Sequence, residues 1–193
     1  MGETRATRPR HPTLSTPADG RPVVKPALAF IGLGSNLAHP RRQLARAAIA
    51  LAQLPCSRLV ALSRNYATAP IGVAGPQPDY VNAVAIVRTT LAPRALLRRM
   101  QAIERRHRRR RDGGTPRNAP RTLDLDLLLF GRRRINIAQL TIPHPRMHER
   151  AFVLRPLLDV APVVRIPGRG LASHQWRGVR GQRIARTRTH FAH

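Results

Sequence analysis

The chain has 193 residues, with 35 Lys+Arg against 9 Asp+Glu and a formal net charge of +26 at pH 7. A hydrophobic fraction of 42% can fill the core of one ordinary domain, which excludes collagen-like, coiled-coil and fully disordered chains. Of the 35, all but Lys25 are arginine, so no P-loop lysine follows a glycine run, and one cysteine, Cys56, excludes an internal disulfide or a thiolate metal cluster.

Residues 1–26 are rich in Arg, Pro, Thr and Ser, lack the apolar centre of a secretory signal, and read as a basic leader outside the fold. No later run approaches a membrane span, so no membrane partner is expected and the cytoplasm is the expected compartment. Ala27 to Leu33 is a short apolar run that reads as a strand entering a turn at Gly34-Ser35-Asn36. From Arg41 to Leu54, apolar Leu44, Ala47, Ala48, Leu51 and Leu54 recur at helical spacing behind Pro40. Arg58 to Ala67 and Tyr80 to Thr90 are β-prone and bracket a Pro/Gly-rich loop, Thr68 to Asp79. In the second of them Val81, Ala83, Ala85 and Val87 share one face, and Val84 and Ile86 the other.

A second helix starts at Pro93, carries Leu96, Leu97, Met100 and Ile103 on one stripe with Glu104 beside it, and runs into the basic stretch Arg105 to Arg111. Asp112 to Pro120 reads as a loop, and Thr122 to Phe130 as the strongest strand, stopped by Gly131. Ile135 to Ile142, a Pro-His-Pro corner and a short apolar segment from Phe152 to Val160 follow, and residues 171–193 read as a basic tail. The order strand, helix, strand, strand, helix, strand predicts an α+β fold over residues 27–170, a single domain with a ferredoxin-like, antiparallel-rich sheet and helices on its faces.

The sharpest chemical feature is Asp124-Leu125-Asp126. Strand alternation puts both carboxylates on one face and Leu123, Leu125 and Leu127 on the other. Such a pair is either the wet side of a strand edge or a site for hard cations such as Mg²⁺. In a chain with nine acids, two carboxylates held together favour the metal. Arg109, Arg110, Arg111, Arg117 and Arg121 stand near them in sequence, and guanidinium forks match phosphate oxygens, so the set reads as a triphosphate clamp. His144 between two prolines is either structural or a donor to phosphate or adenine. Tyr80, Asn82 and Phe152 read either as core or as a polar-aromatic slot for a heterocycle. Gly32-Leu33-Gly34 lacks the third glycine of a dinucleotide fingerprint.

Four segments together, Gly34-Ser35-Asn36, Pro78 to Ala83, Pro120 to Asp126 and Pro143 to Phe152, resemble the 6-hydroxymethyl-7,8-dihydropterin pyrophosphokinase family of folate biosynthesis. The likeness runs from about Ala27 to Pro167. It implies the ferredoxin-like fold and transfer of the β,γ-diphosphate of ATP, with two Mg²⁺, to the pterin's hydroxymethyl group, releasing AMP. By resemblance, Asp124 and Asp126 match metal ligands, and Arg109 and Arg121 match catalytic phosphate-binding arginines. Thr68, Pro70, Ile71, Tyr80, Asn82 and Phe152 match the pterin pocket. Glu104, Arg111, Leu127, Thr141, His144 and Arg150 match ATP-side positions. Many members carry Gly-Arg at 108–109 and a tryptophan in the loop before the acidic strand, whereas Arg108-Arg109 and Asn118 stand here; these departures bear on loop closure and turnover rather than on the reaction class.

The expected partners are ATP and the pterin, with no specific nucleic acid, and the expected state is a monomer. The excess of arginine is either a base-composition bias of the gene or an attraction to polyanions. The alternative reading is a nucleic-acid-binding module on a degenerate kinase scaffold, although 4% aromatic content provides little stacking surface.

Overall fold

In a computed structural model of the chain, residues 25–70, 76–107 and 120–187 are described. The first strand, β1 (Ala27–Ser35), leads through Pro40 into α1 (Pro40–Ala52), where Pro at the first turn is compatible with the absent N–H of a helix start. The β-prone stretch 58–67 is two strands, β2 (Ser57–Leu62) and β3 (Tyr66–Thr68). They part where Ser63 takes over the ladder: its Oγ accepts from the Val84 N–H at 2.9 Å.

Next come β4 (Tyr80–Thr89), α2 (Pro93–Arg106) and β5 (Asp124–Phe130), close to their expected positions. A hairpin of β6 (Ile135–Ile137) and β7 (Leu140–Ile142) leads to the corner at Pro143, a 3-10 turn (Met147–Glu149) and α3 (Ala151–Val160). The short apolar segment after Phe152 is therefore helical. The chain ends its described course in β8 (Arg165–Ile166), β9 (Gly170–Leu171), α4 (Ala172–Val179) and β10 (Ala185–Arg186).

The main sheet runs β10-β3-β4-β1-β5, with β2 also paired to β4, and every pairing is antiparallel. This is the expected ferredoxin-like order, with β1 central between β4 and β5. Both faces of β4 are buried, so it reads as a nearly continuous apolar run rather than an alternation. Odd-numbered Val81 to Val87 pack with Leu44, Leu51, Leu96 and Met100 of α1 and α2, and Val84 and Ile86 pack with Leu154 and Leu157 of α3.

The expected basic tail is corrected over residues 172–187. Ala172, Trp176 and Val179 fall at helical spacing and place α4 against the α3 side of the core, while β10 extends the sheet at β3. The segment escaped the periodicity because its few apolar residues are diluted by arginine and glycine. The leader through residue 24, and residues 188–193 of the tail, lie outside the described residues.

Candidate active site

On the α3 side of the sheet a cavity of about 380 Å³ opens where β1, β4 and β5 end. Its floor follows from the register. Gly34 of β1 lies opposite Asn82 on β4 and opposite Asp124 on β5, and Gly32 lies opposite Val84 and Asp126. All these side chains share one face, so two glycines on the central strand leave bare backbone between the amide on one flank and the carboxylates on the other. Adjacent strands are about 4.8 Å apart, so β4 and β5 stand roughly 10 Å from each other across this floor.

The residues that enter β4 and β5 are tied to the end of β1 by Asn36, which is 3% exposed. Its Oδ1 accepts from the Arg121 N–H at 2.8 Å, and its Nδ2 donates to the Pro78 carbonyl at 3.3 Å. The Asn36 N–H also donates to the Arg121 carbonyl at 3.1 Å. One buried amide thus ties Arg121, just before the acidic strand, and Pro78, just before Tyr80, to the end of β1. This gives the Gly34-Ser35-Asn36 turn its physical content.

On the amide flank, Asn82 is 5% exposed and its Nδ2 donates to Thr68 Oγ1 at 2.9 Å, which orients the side chain. Tyr80 and Phe152 line the same cavity from β4 and α3. On the carboxylate flank, Arg121 Nη1 donates to Asp124 Oδ2 at 2.6 Å. Burial by itself lowers the Arg121 pKa, and Asp124, with Tyr80 and Asp126, more than offsets this and raises it. Arg146, Glu149 and Arg150 close the far wall, with the Arg150 guanidinium 5.4 Å from the centre of the Phe152 ring. Burial, then Arg146, lowers Arg150, which remains a cation.

The corner at His144 stands beside this wall. The Ile142–Pro143 peptide is cis, and the His144 N–H donates to the Leu128 carbonyl at 2.9 Å, joining the corner to β5. Burial, followed by repulsion from Arg150 and Arg146, pushes His144 down to about 4, so the ring is neutral at pH 7.

Of the residues singled out in the sequence, Thr68, Tyr80, Asn82, Arg121, Asp124, Asp126, Arg150 and Phe152 are brought together around one cavity. Pro70 is half-buried just beyond its lining. Leu127 turns its side chain into the α1/α2 core, and Thr141 lies on β7, where its hydroxyl donates to Asn136 Oδ1 at 3.4 Å; neither lines the cavity. Glu104 is buried behind β5, where its Oε1 accepts from the Leu125 N–H at 2.9 Å, at the residue between the two aspartates. Ile71, Arg109, Arg111 and the departures at Arg108 and Asn118 lie outside the described residues.

Sequence reasoning missed Arg146, Glu149 and Gln182 of the lining, and the glycine floor. The floor had a signal: Gly32 and Gly34 alternate with Leu33 at strand period. Gln182, in a segment read as tail, had none.

The carboxylate pair suits a hard cation. Among the described residues no group of three or more His, Cys, Asp or Glu gathers to hold a metal, so two carboxylates would be completed by phosphate oxygens and water, the ordinary manner of Mg²⁺ at nucleotide sites.

Comparison with known proteins agrees with this geometry. The family model described as 7,8-dihydro-6-hydroxymethylpterin-pyrophosphokinase (HPPK) matches residues 30–162. A 2-amino-4-hydroxy-6-hydroxymethyldihydropteridine pyrophosphokinase of Pseudomonas aeruginosa is 50% identical over 138 residues, covering 72% of this chain and 83% of that protein. The enzyme of the same name from Haemophilus influenzae is 46% identical over 139 residues, covering 72% and 84%. Among solved structures, Plasmodium falciparum HPPK-DHPS with pteroate superposes with a TM-score of 0.62 at 14% identity, over 80% of this chain and 42% of that one. This chain thus spans less than half of that longer protein, and the likeness bears on the fold alone. The chain belongs to the 7,8-dihydro-6-hydroxymethylpterin-pyrophosphokinase family.

Proposed function

We propose that this cavity transfers the β,γ-diphosphate of ATP to the hydroxymethyl group of 6-hydroxymethyl-7,8-dihydropterin, releasing AMP, as the pyrophosphokinase step of folate biosynthesis. The observation that carries the reading is the placement of Asn82 and Asp124 on opposite sides of Gly34. A heterocycle hydrogen-bonded to Asn82 and stacked on Tyr80 and Phe152 would present its side chain to the acidic flank.

Asp124 and Asp126 would hold two Mg²⁺. Bound there, the ions would neutralise phosphate charge and orient the transferring group. Arg121 and, outside the described residues, Arg109 would pair with phosphate oxygens, while Arg150, His144 and, again outside the described residues, Arg111 would serve the ATP side. Thr68 fixes the Asn82 amide and, with Pro70 and Ile71, would border the pterin. Phosphoryl transfer through a loose transition state mainly needs positioning and charge neutralisation, so no nucleophilic Ser or Cys is required. Because Leu127 is packed into the core, a role toward ATP would fall to its backbone, and Thr141 would contribute from the neighbouring hairpin. Glu104 would act by positioning β5 rather than by touching nucleotide. We further read the chain as a cytoplasmic monomer; among the described residues no helix is long and apolar enough to cross a membrane.

The test is AMP release from Mg²⁺-ATP with and without the pterin, beside an Asp124→Ala, Asp126→Ala variant. AMP formed only with pterin and lost in the variant is expected. Absence of AMP from folded, ATP-binding wild type, or full activity in the variant, overturns the assignment.

A further inference from the structure

The family match ends at residue 162, yet the cavity wall includes Gln182, on the turn between α4 and β10. What this side chain does follows from a weakness in α3. The helix begins at Ala151 with Arg150 in the N-cap position making no side-chain cap, so its first amides lack helical acceptors. Pro156, inside the helix, has no N–H to offer the Phe152 carbonyl four residues earlier. The Arg150 carbonyl accepts from the Val153 N–H at 3.1 Å and the Leu154 N–H at 3.0 Å, but the helix offers no acceptor to the Ala151 N–H at the start of the turn that carries Arg150 and Phe152, both cavity residues.

Gln182 supplies the missing restraint from outside. Its Oε1 accepts from the Ala151 N–H at 2.8 Å, and its Nε2 donates to the Glu149 carbonyl at 2.8 Å. These two groups flank Arg150 on either side. Gln182 is itself anchored: its N–H donates to the Val179 carbonyl at 2.9 Å, and β10 pairs with β3 through Ala185–Ala67 and Arg186–Tyr66. The strand it pairs with ends at Thr68, which lines the same cavity.

We propose that Gln182 is a positioning residue, its side-chain amide clamping the peptide groups on both sides of Arg150 and thereby setting Arg150 and Phe152 for substrate. The proposal rests on the pyrophosphokinase reading for the identity of the ligand, but the clamp itself does not. Loss of the clamp leaves the floor and the carboxylates in place, so it weakens pterin binding more than it slows turnover.

The experiment compares the full-length wild type with Gln182→Met, which has similar length and neither hydrogen bond, and with Gln182→Glu, which keeps only the acceptor for Ala151. Three experiments are read: the Kd of fluorescent 6-hydroxymethylpterin in the presence of Mg²⁺ and a non-hydrolysable ATP analogue, the steady-state kcat and KM for AMP release, and amide hydrogen exchange at Ala151. Gln182→Met is expected to raise the pterin Kd and KM about fivefold or more while kcat stays within about twofold, and to speed exchange at Ala151 by about tenfold. Gln182→Glu is expected to fall between, with Ala151 still protected. Unchanged pterin Kd in Gln182→Met, unchanged exchange at Ala151, or a lower melting temperature with unchanged Kd and KM overturns the proposal. If Gln182→Met does not fold, Gln182→Glu decides it, since a wild-type pterin Kd there overturns it equally. A wild type that makes no AMP defeats the functional reading, whereas Ala151 exchange still decides the clamp.

Discussion

One added methyl group, Gly34→Ala, should separate binding from folding at this site. Gly34 is interior to β1 and outside the left-handed region, so alanine is compatible with its backbone. Relieving a glycine in a strand interior stabilises by about 0.5–1 kcal/mol. A Cβ there would stand 3.4 Å from Asn82 Oδ1 and 3.9 Å from Asp124 Cβ, which is contact without a clash. The same methyl would occupy the approach to Asn82 Oδ1 that a ring N–H needs in order to come within about 2.7–3.2 Å. Losing one neutral hydrogen bond costs about 0.5–1.5 kcal/mol, equivalent to a rise of roughly 2- to 12-fold in pterin KM at 1.4 kcal/mol per decade.

Steady-state AMP release over a range of pterin, with Mg²⁺-ATP saturating, measures this directly, and a thermal melt reports stability beside it. Gly32→Ala is the control, because its Cβ would meet only Leu128 side-chain carbons, at 3.5–3.7 Å, in ordinary contact. Its pterin KM is expected within about twofold of wild type, since a flexible Leu terminus accommodates a methyl group. A Gly34→Ala enzyme with wild-type pterin KM, or one whose kcat and melting temperature fall together, refutes the bare floor as the pterin's seat.

Substitutions at two further positions probe the supports of the carboxylate flank. His144 is held down at about 4 by burial and then by Arg150 and Arg146, with Asp124 partly offsetting them. It folds neutral, so stability is lost as pH falls from about 6.5 toward 4, by at most about 3 kcal/mol. His144→Gln should flatten that limb in urea melts across the range, and an unaltered slope counts against the assignment. Glu104→Leu would leave the Leu125 N–H without its acceptor, costing about 1–3 kcal/mol and lowering the melting temperature by roughly 3–10 °C, with activity falling too. Glu104→Gln, which keeps a carbonyl acceptor, should lose less, and a Glu104→Leu protein that melts with wild type would remove Glu104 from the support of β5.

The parts of the fold that sequence made legible are those where one residue's environment repeats along an element. The nearly continuous apolar run from Val81 to Val87 announces β4 because both of its faces are buried, and Leu96, Met100 and Ile103 announce α2 because packing on one face imposes a period. The Asp124–Asp126 pair was legible for the same reason. Glu104 was singled out, but its role was not legible: whether a carboxylate beside an apolar stripe meets nucleotide or a strand's N–H depends on which strand lies over the helix. Gln182 was illegible altogether, since its two partners are 31 and 33 residues away and its own segment has few apolar side chains to betray α4. Contacts made by a lone polar group to distant backbone leave no periodic trace.

The charge that dominates the composition acquires a local meaning at the cavity. Of the nine acids in the chain, Asp124, Asp126 and Glu149 line it and Glu104 stands behind β5, so almost half are gathered at one place. Against those three carboxylates, the lining formed by the described residues sets the arginines Arg121, Arg146 and Arg150. A triphosphate accompanied by divalent cations would match these residues group by group, cation to carboxylate and phosphate to guanidinium. The Arg121–Asp124 ion pair at 2.6 Å marks where the two kinds of charge adjoin. On loading, both partners would exchange one ionic contact for another instead of being stripped of water without compensation. On the proposed function the arginines elsewhere on the chain would raise the local concentration of an anionic substrate without selecting it, and selection would rest with the paired carboxylates and the Asn82 amide, which the register sets across two glycines.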